Sequence, residues 1–144
     1  MAEDAPLVDV STPFGARVAA HLRDDVVVWL TTVSPAGTPQ PSPVWFVWDG
    51  ERDVVVHSRE SQRVRNIAAN PRVSLNFRGD RLGGDIVVLT GDARIDPSSP
   101  PAHEAPEYVA KYAEHIAGLS MTPETFAADY HVVVRIRLTR LRGF

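Results

Sequence analysis

The chain has 144 residues, 44% of them hydrophobic and 23% charged, with a formal net charge of −3 and no cysteine. That size and balance suit one domain with its own core, and the negative charge argues against binding nucleic acid through a global basic field. The lack of cysteine excludes disulfides, thiolate nucleophiles and Cys-ligated zinc or iron–sulfur centres.

In chain order, "MAEDAPLVDV" lacks the basic-then-apolar layout of a signal peptide, and no later apolar run approaches the roughly 20 residues of a membrane helix, so a cytoplasmic location is expected. In "STPFGARVAAHLRDD", Thr12 is placed as an N-cap, Pro13 as the first helical residue, and Phe14, Val18 and Leu22 at four-residue spacing as the apolar face. Val26–Ser34 is β-branched and aromatic and reads as a first strand. "PAGTP" then punctuates the chain, and "QPSPVWFVW" reads as a second strand running to the turn at Asp49-Gly50. Asp53–Ser58 is a third strand, and a helix is expected to begin near Ser61. In "RVSLNFR", Val73, Leu75 and Phe77 alternate with Ser74, Asn76 and Arg78, the two-residue period of a half-buried strand. "DIVVLTGDARI" and "HVVVRIRLTRL" make the fifth and sixth. Between them lie a loop, "DPSSPPAHEAP", a helix over about Pro101–Ala117, and a short helix opened by Thr122-Pro123.

Strands clustered in this way and joined partly by tight turns predict an antiparallel barrel or sandwich with attached helices. "VVVWL" and "PVWFVW" are apolar on both faces; one face can fill a barrel, and the other needs a helix, a ligand or a second subunit over it.

The stretch "HSRESQRVRNIAANP", His57 to Pro71, is locally basic in an acidic chain. Ser58 or Ser61 can cap a helix whose stripe is Val64, Ile67 and Ala68, ended by Asn70-Pro71. Its N-terminus offers unpaired N–H groups and a partial positive charge, and Ser58, Ser61, Gln62, Arg59 and Arg63 gather there. Arginines at that end oppose the helix dipole, an arrangement an anion would offset. A solvated basic face, with Arg59 paired to a carboxylate, is the competing reading.

Two segments together, "LTTVSPAGTPQPSPVWFVWDG" and "SRESQRVRNIAANPRVSLNF", make the chain resemble the split β-barrel FMN- and F420-binding proteins related to pyridoxamine 5′-phosphate oxidase, particularly the F420-dependent oxidoreductase branch known from actinobacteria. The resemblance covers about Phe14 to Leu141. It implies a mainly β, six-stranded antiparallel split barrel of the FMN-binding type. It also implies a homodimer with cofactors in interface clefts, and hydride transfer between the cofactor ring and a small organic acceptor. By the same resemblance Arg63 is the principal phosphate ligand, Ser58, Ser61 and Gln62 belong to the donating turn, Arg59 assists, and Pro43, Val44, Trp45 and Phe46 flank the ring. Coenzyme F420 ranks above FMN, and a non-catalytic carrier of either stays open. The phosphate pattern and C-terminal signature of true pyridoxamine phosphate oxidases are missing, which argues against vitamin B6 oxidation.

His103 and Glu107, four apart on a helix with Glu104 and His115 nearby, have ligand-like spacing, but solvent-facing helix polarity explains them better than a metal does. His57 reads as a packed histidine beside the anion turn, and Arg78–Asp85 as a hairpin loop rather than a mobile flap. Arg65 falls on the far flank of the Val64/Ile67 stripe, away from the phosphate. G-x-S-x-G, P-loop and G-x-G-x-x-G motifs do not occur.

Overall fold

Thr12 accepts a hydrogen bond from the Gly15 amide at 3.0 Å and Pro13 occupies the first turn, so helix α1 (Pro13–Asp24) starts where the capping chemistry puts it. A computed structural model describes residues 5–144; Met1–Asp4, part of the segment weighed above as a leader, lies outside the described residues. Val18, Ala19 and Leu22 bury one face of α1 against the sheet.

The strands are β1 (Val27–Val33), β2 (Pro39–Trp45), β3 (Val47–Trp48), β4 (Asp53–Ser58), β5 (Arg72–Asn76), β6 (Val87–Ile95) and β7 (Val132–Gly143). They form one sheet in the order β2-β1-β5-β6-β7-β4-β3, with every pair antiparallel. Alternation holds in β5 as expected, with Val73 and Leu75 facing the core, and in β6 Val87, Leu89 and Ala93 face the core as well. Between Thr90 and Gly91 the β6–β7 register shifts, and a Cβ at Gly91 would stand 2.7 Å from the Arg137 carbonyl oxygen, so glycine permits the close approach.

The strand count is seven, where six were predicted, because the run "QPSPVWFVW" breaks at Phe46. Trp45 pairs with Val27 of β1, and Val47 pairs with Val55 of β4. Within three residues the chain thus passes from one edge of the sheet to the other, curling it into a half-barrel around a core that includes Leu30, Phe46, Leu75 and Ile136.

Two further helices, α3 (Pro106–Gly118) and α4 (Pro123–Asp129), clasp this seam; α3 follows a short 3₁₀ turn at Ala102–Glu104, so the predicted helix from Pro101 is in two pieces. The Phe46 amide donates to the Tyr112 hydroxyl at 2.8 Å, and Lys111 Nζ donates to the Phe46 carbonyl at 3.1 Å. The Tyr112 hydroxyl in turn lies 2.7 Å from the Val26 carbonyl oxygen and 2.9 Å from that of Phe46, and its single proton serves one of them at a time. A side chain of α3 therefore replaces the ladder partner that the break removes. Tyr112→Phe strands the buried Phe46 N–H, and a loss of about 1 to 2 kcal/mol in urea unfolding is expected; an unchanged midpoint would show that the seam holds without it.

The remaining helix, α2 (Gln62–Ala69), is capped by Ser61, whose hydroxyl accepts from the Val64 amide at 3.4 Å. Val64 and Ile67 are buried as predicted, but the third buried position is Asn66, not Ala68. Asn66 donates to Thr32 Oγ1 at 3.0 Å and to Gln40 Oε1 at 2.7 Å, which makes burying an amide affordable.

Arg78–Asp85 joins β5 to β6 as a fastened loop. The Asp80 carboxylate accepts from the Leu82 and Gly84 amides, each at 2.7 Å, and Asp85 meets Arg17 at 2.9 Å and His21 at 3.0 Å. Among the described residues, no helix is long and apolar enough to cross a membrane.

Candidate functional site

A cleft of about 490 Å³ opens where the end of β4, the turn before α2 and strand β2 face the α3–α4 pair. Pro43, Val44 and Trp45 form one wall. Ser58, Arg59, Glu60, Ser61 and Arg63 form the polar end, and His57, Tyr108, Leu119, Phe126 and Tyr130 close the remainder.

Seven of the nine residues singled out from sequence thus line one cleft. The other two do not. Phe46 is fully buried in the core at the seam, its side chain committed to packing. Gln62 points away: its amide donates to Asn66 at 2.8 Å and its carbonyl oxygen accepts from Arg65 at 3.1 Å.

The polar end is organised around Arg63. Its Nε and Nη2 donate to Ser42 Oγ at 3.0 and 2.9 Å, and Nη1 donates to Ser58 Oγ at 3.1 Å, while Ser58 passes its own proton to the Arg59 carbonyl at 2.8 Å. Ser42, on β2, was not found from sequence, since a lone serine between prolines carries no signal of its own. Among the described residues no carboxylate lies within 4.0 Å of Arg63, and burial alone pushes its pKa below the ordinary value. A half-buried guanidinium held only by neutral hydroxyls keeps its full charge directed at whatever enters the cleft.

Arg59 is arranged differently. Its Nη2 meets Asp129 of α4 at 2.6 Å, and its guanidinium lies over the Tyr130 ring at 4.7 Å, so in this arrangement it fastens α4 beside the cleft. Arg65 is exposed and donates to Gln62 Oε1 at 3.1 and 3.3 Å.

The apolar end is an aromatic stack. Trp45 stacks with Tyr112, 4.8 Å away and 9° from parallel, and with Phe126, 5.6 Å away at 17°. Phe126 stacks in turn on Tyr130 at 4.3 Å. Tyr108, Phe126 and Tyr130 went unassigned from sequence because aromatics at helical spacing read as ordinary core. His57 is 6% exposed, meets the Tyr108 ring edge-on at 4.5 Å, and burial lowers its pKa to about 4 against a smaller opposing pull from Glu107.

His103 pairs with the adjacent Glu104 at 3.3 Å, and His115 tilts toward Trp45 at 5.9 Å. Among the described residues no three His, Asp or Glu side chains gather into a metal-binding group.

A family model described as pyridoxamine 5′-phosphate oxidase matches residues 14–143. No curated protein matches the chain. Among solved structures, an F420 reductase is 28% identical, with a TM-score of 0.57 over 85% of this chain and 94% of its own. A FAD-binding protein of Mesorhizobium loti is 17% identical, with a TM-score of 0.62 over 88% of each chain. HutZ, the haem storage protein of Vibrio cholerae, is 16% identical, with a TM-score of 0.60 over 92% of this chain and 95% of its own. The last two share the fold.

Proposed function

The chain belongs to the pyridoxamine 5′-phosphate oxidase family, and from that premise we propose that it is an F420-dependent oxidoreductase acting on a small organic acceptor. The observation that carries the reading is Arg63: a half-buried guanidinium without a carboxylate, steadied by Ser42 and Ser58 at the mouth of an aromatic-walled cleft. The likeness to an F420 reductase favours the deazaflavin over FMN.

The donors present fit a phosphate-bearing, planar-ringed cofactor. Arg63, Ser58 and Ser61 with the first amides of α2 would hold the phosphate, and Pro43, Val44 and Trp45 would flank the ring. When bound, F420 supplies two-electron hydride chemistry. The protein's part is to bind, orient and keep water from the reacting edge, which the apolar walls of Trp45, Phe126 and Tyr130 serve.

The proposal extends to a homodimer. Val27 and Trp29 of β1 are each 39% exposed on the sheet face turned away from the core, an apolar surface that a second copy would cover. Sedimentation should give twice the mass of one chain.

Titration of the purified protein with F420 and with FMN, followed by visible absorbance and fluorescence, decides the main reading. F420 is expected to bind with the higher affinity. Preference for FMN would redirect the proposal to a flavin oxidoreductase, and failure of both to bind would sink it.

A further inference from the structure

His21 stands between two carboxylates from different elements. Its Nδ1 lies 2.9 Å from Asp25 Oδ2 at the end of α1, and its Nε2 lies 3.0 Å from Asp85 Oδ2 in the loop between β5 and β6. The ring stacks on Phe77 at 5.0 Å, 20° from parallel. A carboxylate only accepts, and a neutral imidazole has one N–H to give. The neutral ring therefore turns a lone pair toward one of the two carboxylates, and imidazolium alone donates to both. Charge points the same way. Arg17 Nη1 donates to Asp85 Oδ1 at 2.9 Å, so the protonated cluster sets two cations against two anions, and the neutral one sets Arg17 against both. Two further cations lie nearby: Arg78 beside the concavity that His21 and Asp25 line, and Lys111 of α3, which feels the charge of Asp25 and Asp24.

The loop is fastened to α1 at one point. Among the described residues its hydrogen bonds to that helix all end on the Asp85 carboxylate. Asp85 has a φ of 51°, and Gly79, at the other end, one of 70°. A left-handed backbone costs a non-glycine residue energy, which the contacts of Asp85 with His21 and Arg17 offset. Between those ends Asp80 ties the loop to itself, its carboxylate accepting from the Leu82 and Gly84 amides and its N–H donating to the Gly84 carbonyl at 2.9 Å.

We infer that His21 is a proton-operated clasp: protonated, it fastens the β5–β6 loop to α1 through Asp85, and losing the proton releases the loop. Asp85 is the carboxylate that lets go, because leaving relaxes its φ, and Arg17 alone is a partly exposed, weak hold. Burial opposes the charge on His21, but Asp25 and Asp85 outweigh it and leave the pKa raised. The clasp is therefore closed at pH 6.5 and opens as pH climbs through the folded value. Arg78 and Gly79 of the loop share with His21 and Asp25 a concavity of about 440 Å³ against Val27 and Trp29. Release thus reshapes the border of the exposed apolar face of β1. No bound cofactor is needed.

Leu82, 95% exposed at the loop tip, is the reporter position, and a Leu82→Cys chain carries a single thiol because no other cysteine is present. With a nitroxide on that thiol, electron paramagnetic resonance between about pH 6 and pH 9 reads the freedom of the loop. The mobile fraction is expected to rise about three- to tenfold, the worth of one hydrogen bond, with the midpoint at which the His21 ring titrates by NMR. In the same labelled chain Asp25→Asn leaves one carboxylate, so the neutral ring keeps its N–H on Asp85 and the loop stays fastened across the range. His21→Gln should make the spectrum independent of pH. A spectrum that holds constant with pH in the labelled chain without further substitution overturns the inference. So does a midpoint away from that of His21, or an undiminished pH response in Asp25→Asn or His21→Gln.

Discussion

The Arg63→Ala variant is expected to bind F420 about 1.5 to 3 kcal/mol less tightly than the wild type, roughly a ten- to 150-fold rise in Kd by fluorescence titration. The magnitude follows from the surroundings of the guanidinium. Ser42 and Ser58 orient it without neutralising it, and among the described residues no carboxylate within 4.0 Å diminishes the charge offered to an entering phosphate. Arg63→Lys should fall between the two, because one ammonium cannot reach both hydroxyls as the planar fork does. The alanine variant should also show a shallower dependence of affinity on ionic strength. Its fold should be no less stable, since the residue lost is a partly buried cation with no counter-ion. Full retention of F420 affinity in Arg63→Ala would place the phosphate elsewhere.

The second large effect is on acid stability. His57 titrates at about 4 in the folded chain, chiefly through burial, against an ordinary value of 6.5. Between those values the unfolded chain takes up a proton that the folded chain refuses, so the native state loses stability as pH falls through this window. The full loss is about 3 kcal/mol. His21 works in the opposite sense: burial pulls its pKa down, but hydrogen bonds and charge from Asp25 and Asp85 more than offset this, leaving it raised. Its contribution is complete below 6.5 and fades as pH rises past its folded value. Urea midpoints for the wild type and His57→Gln, compared at about pH 7.5 and pH 4.5, isolate the His57 effect. The variant should lose markedly less on acidification, and an identical loss would assign acid sensitivity to other groups.

Patterns confined to a few neighbouring residues were readable in advance. Thr12 and Ser61 cap their helices as their hydroxyls predict, and Val73 and Leu75 bury as their alternation predicts. Ser58, Arg59, Ser61 and Arg63 fall within six positions of one another, and the structure brings them to one end of the cleft. What escaped depends on distant partners. Nothing within "PVWFVW" announces a break at Phe46, because the groups that make it tolerable, Lys111 and Tyr112, stand 65 and 66 residues away. Asn66 replaced Ala68 on the buried stripe for the same reason: hydropathy cannot anticipate acceptors contributed by Thr32 and Gln40. Tyr108 and Phe126 had the spacing of core aromatics and do pack as core, yet each also faces the cleft.

The position of β7 has a consequence for the order of assembly. This strand lies between β6 and β4 and holds Val132–Gly143, whereas every other strand precedes it in the chain by more than 35 residues. During synthesis β2, β1, β5 and β6 can pair among themselves, but the β3–β4 hairpin has no neighbour to join until β7 emerges. Until β7 emerges the chain holds two separate half-sheets and leaves the apolar inner face of β4 uncovered, so closure of the barrel is a late, long-range event.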